Sequence, residues 1–268
     1  MTLTPINVNV DISTYPAEVQ PLLYGAELYD SSCSTDARVI FIDKDCGYFL
    51  KSAPKGALER EAIMTRYFHA KGLAANVLAY LTTQSYESGG RDWLLTVKVR
   101  GDDGVAAKYL EQPERLCDIF AERLAILHST DYTDCPIMNH TELYIEDVKQ
   151  RYHTGNYDHE RIAKKGYATA EEAFRIVESC GHLLRTDTLL HGDYCLPNII
   201  FDDWRFSGFI DLDLGGVGDR HRDLFAAMTT FRLNFKTDEY NKRFFDAYGR
   251  DKIDEDLMRI VAAAEVFG

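Results

Sequence analysis

The stretch NIIFDDWRFSGFIDL, residues 198–212, constrains this chain more than any other. Two short apolar runs, NIIF and FSGFIDL, flank the turn residues DDWR, a pattern that predicts two strands folded into a hairpin. A hairpin returns the chain to its starting end. Asn198, which opens the first strand, and Asp211, which closes the second, therefore lie together. Just upstream, HGDYCLP (191–197) brings Asp193 to the same end. Two carboxylates and an amide oxygen are hard donors. Such a set suits Mg²⁺, which takes few protein ligands and completes its shell with water and phosphate oxygens. Asp and Asn also serve as plain turn and capping residues. HGD alone is weak; the joint pattern HGDxxxxN, hairpin and apolar-flanked Asp is far more specific.

The rest of the chain divides by pattern. RVIFIDKDCGYFLK (38–51) reads as another hairpin. KGALEREAIMTRYFHAK (55–71) carries Leu58, Ile63, Met64 and Phe68 near helical spacing, and Gly72 ends the run. NVLAYL (76–81) and WLLTVKV (93–99) read as strands around the polar loop QSYESGGRD. RGDDG (100–104) is a turn-rich break. Beyond it helices dominate. PERLCDIFAERLAILH (113–128) puts Leu116, Phe120, Leu124 and Leu127 on one face, further helices follow over 139–153 and 169–184, and three close the chain from about Arg222, Asp238 and Asp254. The expected architecture is α+β. A small β-rich N-terminal lobe spans 1–99, a hinge lies at about 97–103, and a larger helical C-terminal lobe spans 100–268.

Bulk properties narrow the function classes. A net charge of −13 disfavours nucleic acid and anionic lipid as partners and attracts a cationic small molecule; equally, it serves solubility. No run approaches the roughly 20 apolar residues that cross a bilayer. The N-terminus lacks a basic segment followed by an apolar one, so no secretory signal is expected. The six cysteines are scattered with no CxxC pair, which fits reduced thiols in the cytoplasm rather than a disulfide framework or zinc site.

HGDYCLPNIIF resembles the catalytic loop, and FSGFIDLDLGGVGDRHRDL the metal-binding segment, of the aminoglycoside phosphotransferases. That family shares the two-lobed protein kinase-like fold and extends to choline and other small-molecule kinases. The resemblance covers nearly the whole chain. It implies that Asp193 orients the acceptor hydroxyl and takes its proton, while Asn198 and Asp211 hold Mg²⁺ against the phosphates of ATP or GTP. Lys51, ending the strand YFLK, holds the α- and β-phosphates in this fold, steadied by a helix glutamate. Of Glu59 and Glu61, the family position matches Glu61. Phe49, two residues before Lys51, either stacks on adenine or belongs to the core. The nucleotide loop falls on YDSSCSTDA, where Ser32 and Ser34 are candidate phosphate contacts, although a plain turn needs the same residues. The backbone at Lys98 and Val99 is the expected adenine contact, and Ile210 joins the nucleotide set. His191 supports the loop, Asp223 pins its backbone, and Asp219 shares that work or caps a helix. Cys195 has no visible activating partner.

The acceptor is less clearly written. Asp158 and Glu160, in HTGNYDHER, fall where the family contacts its polycationic substrates, and solvated loop acids are the competing reading. The ending AAAEVFG resembles that of the 3′-type enzymes, with Glu265 matching an acid and Phe267 an aromatic. Ala264 replaces a second acid and Gly268 adds a residue. After Asp211, Asp213 and Leu214 stand where the 3′ enzymes commonly have Gly and Arg, and Asp213 adds negative charge there. The resemblance implies phosphorylation of a kanamycin- or neomycin-type aminoglycoside, at the 3′-hydroxyl, by a monomer or weak dimer, giving antibiotic resistance. The alternatives are a kinase of choline, a sugar or a homoserine-like metabolite, and a non-catalytic nucleotide-binding module.

Overall fold

Alternating side chains build the first sheet. Strands β1 (Thr4–Pro5), β2 (Glu27–Asp30), β3 (Arg38–Asp43), β4 (Tyr48–Pro54), β5 (Val77–Thr83) and β6 (Arg91–Val97) lie in the order β1-β2-β3-β4-β6-β5, each neighbouring pair antiparallel. Ile40, Ile42, Leu50 and Leu95 share a cluster with Tyr15, Val19 and Leu23, the last in helix α1 (Gln20–Leu23). Ala53 and Leu94 pack instead with Leu58 and Ala62 at the start of helix α2 (Glu59–Ala70). Lys51 is two residues from Ala53 on β4, so the strand period aims it at the α2 side. The computed structural model describes residues 4–6, 11–33, 37–84 and 90–268.

The chain forms two compact units. The first comprises Met1–Ala106 and Pro197–Leu214, the second Ala107–Leu196 and Gly215–Gly268. The sequence expectation puts one boundary near residue 100; in the structure the first unit continues to Ala106 and takes in the later hairpin. Part of the segment read as a hinge is strand β7 (Asp102–Asp103), which pairs with that hairpin. Gly101 is needed here. Its φ is +110°, and a Cβ would lie 2.1 Å from the Phe201 carbonyl oxygen.

In the second unit the helices are α3 (Ala107–Leu110), α4 (Pro113–Leu127), α5 (His140–Thr154), α6 (His159–Lys164) and α7 (Ala170–Cys180), followed by strand β8 (Thr188–Leu190). The chain returns to the first unit for β9 (Ile199–Asp202) and β10 (Arg205–Phe209). It then adds β11 (Gly216–Gly218), α8 (His221–Phe235), α9 (Tyr240–Tyr248) and α10 (Glu255–Ala264) to the second. The expected stripe on α4 is the heart of this unit: Leu116, Phe120, Leu124 and Leu127 are all fully buried.

Four local readings change. Ile63 is 37% exposed, because α2 buries the face of Glu61, Met64, Thr65 and Phe68 instead. The hairpin is tighter than expected: its loop is Asp203–Trp204, both with positive φ as a two-residue twisted turn requires. Asn198 ends a 3₁₀ turn rather than opening β9, and β10 stops at Phe209, before Asp211. Finally, β8 and β11 pair antiparallel, a sheet that the glycines of GGVG conceal in the sequence.

Candidate active site

In the first unit, β4, α2 and the end of the hairpin deliver three charges to one point. Lys51 Nζ lies 2.7 Å from Glu61 Oε2 and 2.7 Å from Asp211 Oδ1. Glu61 is buried in the first turn of α2, whereas Glu59, the other candidate, is exposed. Asp211 is held with φ +59°, a strained conformation for a residue with a side chain. The Ile210 N–H donates to the Asn198 carbonyl at 3.0 Å, which fixes Asn198 and Asp211 at the same end of the hairpin.

Burial alone would lower the pKa of Lys51, but the carboxylates of Glu61 and Asp211 outweigh it and raise it. For Glu61, burial works the other way. Together with the like charges of Asp211 and Asp213, and against the attraction of Lys51, it pushes the carboxyl up to about 7. One ammonium thus serves two acids, and Asp211, 47% exposed, is the one open to solvent.

The entry of α2 is fixed by Asp92, which the sequence reading did not single out. Its carboxylate accepts the N–H groups of Gly56 (2.7 Å) and Leu58 (3.2 Å) and the hydroxyls of Tyr80 (2.9 Å) and Thr82 (2.8 Å). Burial opposes ionisation of Asp92, yet these bonds hold its pKa below the ordinary carboxylate value. By anchoring the turn before α2, Asp92 sets where Glu61 meets Lys51.

The other nucleotide candidates are occupied in different ways. Phe49 is half-buried on the Lys51 face, its ring 5.1 Å from that of Phe41. The Ser32 hydroxyl accepts the Val39 N–H at 2.9 Å and the Ser32 N–H donates to Asp30, so this serine ties the β2–β3 turn. Ser34 lies outside the described residues. The Lys98 N–H donates to the Gly47 carbonyl at 2.9 Å, and the Val99 side chain faces Gly208.

In the second unit, Asp223 organises the loop that carries Asp193. Fully buried in the first turn of α8, it accepts the backbone N–H of His191 and that of Gly192, each at 2.8 Å. His128 Nε2 lies 3.2 Å from the same carboxylate, and its Nδ1 lies 2.8 Å from the Tyr248 hydroxyl. Both ring nitrogens are satisfied if Nε2–H donates to Asp223 and Nδ1 accepts from Tyr248. Burial opposes charge on Asp223, but His128 and the loop amides outweigh it and lower its pKa; burial lowers that of His128.

Gly192, with φ +88°, makes the turn, and the Asp193 N–H donates to His191 Nδ1 at 3.3 Å. The Tyr194 hydroxyl donates to the Phe120 carbonyl at 2.8 Å, tying the loop to α4. Cys195 does have a neighbour: its thiol lies 3.7 Å from Asp193 Oδ2, as a weak donor. Asp219 accepts from Arg185 N–H (2.6 Å) and from His221 N–H (2.9 Å), and its carboxylate lies 2.6 Å from His221 Nδ1. That work is structural. His128 and Tyr248 escaped the sequence reading; the one signal was a histidine directly after the apolar stripe of α4.

Most of the acceptor candidates have partners within the protein. Phe267 is fully buried in the core among Tyr152, Tyr157 and Phe174. Glu265 is ion-paired with Arg222 and accepts the Tyr144 hydroxyl at 2.8 Å. Asp158 caps α6 by accepting the Glu160 N–H, and Glu160 pairs with Lys164 at 2.9 Å. Their acidity is thus balanced within the protein. Asp213 is half-buried, and Leu214 is 38% exposed.

Known proteins resemble this chain closely. Residues 31–260 match the phosphotransferase enzyme family. A probable aminoglycoside 3′-phosphotransferase of Lactococcus lactis subsp. lactis is 48% identical over 97% of this chain and 98% of its own length. Among solved structures, an aminoglycoside-3′-phosphotransferase of type VIII superposes with a TM-score of 0.73, at 21% identity, over 96% of each chain. The aminoglycoside phosphotransferase APH(3'')-Id of Streptomyces rimosus, solved with ADP and streptomycin, gives a TM-score of 0.70 at 21% identity over 86% of this chain and 90% of its own. At those identities the two structures testify to fold.

Proposed function

The chain belongs to the phosphotransferase enzyme family and is a transferase with a protein kinase-like α+β fold, and on that footing we propose that it moves the γ-phosphate of ATP or GTP to a hydroxyl of a kanamycin- or neomycin-type aminoglycoside, at the 3′ position. The observation that carries this reading is the sharing of Lys51 by Glu61 and Asp211 at 2.7 Å each. Two carboxylates exceed what one ammonium neutralises. The exposed Asp211 is free to turn to another cation, while the buried Glu61 keeps Lys51 oriented toward phosphate oxygens.

Asn198 and Asp211 fit Mg²⁺ by donor chemistry, being hard oxygen donors and few; bound there, the ion would neutralise charge on the transferring phosphoryl group. The remaining work belongs to the chain. Lys51 binds the α- and β-phosphates. Asp193 orients the acceptor hydroxyl and takes its proton as the new P–O bond forms. The Asp223–His128–Tyr248 network holds the loop so that Asp193 is presented in one geometry, and preorganised positioning is the main lever in phosphoryl transfer. The protein works in the cytoplasm as a monomer or weak dimer, without nucleic acid or membrane, and confers antibiotic resistance.

Coupled release of ADP or GDP across an aminoglycoside panel tests the reading. Turnover with at least one member is expected, and Asp193→Asn should lower it by about 100-fold or more. Silence across the panel would overturn the acceptor assignment. One observation favours a second reading, a kinase of choline, a sugar or a homoserine-like metabolite: Asp158, Glu160 and Glu265 all have internal partners. Turnover of such a metabolite without any aminoglycoside would select it.

A further inference from the structure

The loop that carries Asp193 holds a side chain that touches its carboxylate and that phosphoryl transfer, as derived above, does not use. Cys195 Sγ lies 3.7 Å from Asp193 Oδ2, within reach of an S–H donor. The shape of the loop makes this contact. The Cys195 N–H donates to the Asp193 carbonyl at 2.9 Å, which folds residue 195 back toward residue 193. Both neighbours of Cys195 are anchored: the Tyr194 hydroxyl donates to the Phe120 carbonyl at 2.8 Å, and the Leu196 N–H donates to Thr230 Oγ1 at 3.3 Å. Tyr194 and Leu196 are fully buried, while Cys195 is only partly so.

Asp223 fixes the backbone of His191 and Gly192, but its bonds do not reach the Asp193 carboxylate. A carboxylate on a fixed backbone still turns about its last side-chain bond, a torsion with broad wells. A general base works only within hydrogen-bond reach of the proton it takes, so that rotation matters to transfer. A donor on one carboxylate oxygen narrows it. A thiol is a weak donor, so it orients the carboxylate while competing little for the lone pairs that must take the proton.

We propose that Cys195 is a positioning residue for phosphoryl transfer: its thiol holds Oδ2 of Asp193 and so sets the angle at which the carboxylate meets the acceptor hydroxyl. This role deepens the transfer reading and rests on it. The acceptor proton passes to Asp193 as the acceptor oxygen bonds to phosphorus and the nucleoside diphosphate leaves. The thiol keeps its own proton throughout.

Two measurements on the full chain test this, with thermal melts verifying that each variant folds. The first needs no turnover. Iodoacetamide alkylates thiolates, and peptide mapping by mass spectrometry gives the rate at Cys195 alone. Asp193→Asn removes the charge that opposes the thiolate, so Cys195 should react about fivefold faster at neutral pH, the effect of one charge at that distance in water. Equal rates in parent and variant would mean that thiol and carboxylate do not meet, and would overturn the proposal. The second is a double-mutant cycle on nucleoside diphosphate release. Cys195→Ala should lower kcat about fivefold, the scale of one hydrogen bond, and keep the acceptor KM within about twofold. In the Asp193→Asn background the same change should leave the residual turnover within about twofold, because there is no base left to orient. An unchanged kcat, a loss carried by KM, or equal losses in both backgrounds would overturn the positioning role. Absence of turnover with every acceptor would overturn the transfer reading, and the role of the thiol with it; the alkylation rates would then still show whether the contact exists, so the two failures are told apart.

Discussion

The two units each build around a buried carboxylate, and they use it in opposite ways. Glu61 shares a lysine with a second acid, and burial with like charge drives its pKa up to about 7. Asp223 is more deeply buried, yet its pKa is lowered, because His128 and two backbone amides bond to it. Burial alone therefore does not decide the charge of a group; the donors around it do. The first cluster is electrostatically unfinished, with one acid open to solvent, which suits groups that must meet a ligand. The second is fully bonded within the protein, which suits a frame holding a loop in place.

This contrast can be broken by mutation. Removing the Asp223 carboxylate leaves His128 and two buried N–H groups without their acceptor. Asp223→Ala should cost about 3 kcal/mol or more in chemical denaturation. A loss below about 1 kcal/mol would mean that water replaces the carboxylate and the frame is not what holds the loop. Asp92→Ala should cost less, about 2 kcal/mol, although Asp92 accepts four bonds, because most of its donors are only part-buried and can turn to water. Its signature should be loosening of α2, seen as faster hydrogen exchange over residues 59–70.

Acidity sharpens the comparison, because the two units should respond with opposite sign. The raised pKa of Glu61 means that the folded state binds its proton more tightly than the unfolded chain, whose reference is 4.5. Its contribution is full below pH 4.5 and is lost as pH rises through about 7. His128 is lowered from 6.5, so its contribution is full above pH 6.5 and is lost as pH falls below that. Asp223, lowered from 3.8, adds a further loss in stronger acid. Segment-resolved hydrogen exchange, corrected for intrinsic rates, should show α2 weakening from pH 5 to 8 and the Asp193 loop weakening from pH 6.5 downward. Glu61→Gln should abolish the first trend alone and His128→Gln the second alone; parallel trends in both units would refute the assignment. The smallest effect belongs to Ile63→Lys on the exposed side of α2, within about 0.5 kcal/mol of the parent.

Much of this was legible in the sequence where the signal is local. The apolar stripe of α4, the β3–β4 hairpin and the turn between β9 and β10 follow from spacing and turn chemistry over a few residues. The meeting of Lys51, Glu61 and Asp211 was legible because the motifs around them are specific. Asp92 was not, since its work is done on Gly56, 36 residues away. Neither was His128, which acts on Asp223 across 95 residues. The tail shows the limit best. AAAEVFG reads as a substrate contact, but Arg222 and Tyr144 come to Glu265 from two other helices and Phe267 turns inward to the core. An acid's availability depends on partners that no local pattern names.

The central claim is phosphoryl transfer to an aminoglycoside hydroxyl. Incubation of the protein with kanamycin, MgCl₂ and ATP or GTP, followed by mass spectrometry and phosphorus NMR of the product, tests it most directly. The expected product is a singly phosphorylated kanamycin carrying its phosphate on the 3′-oxygen, formed by the parent protein and not by Asp193→Asn. Unmodified kanamycin from a protein shown to bind nucleotide, or equal product from parent and variant, would contradict it.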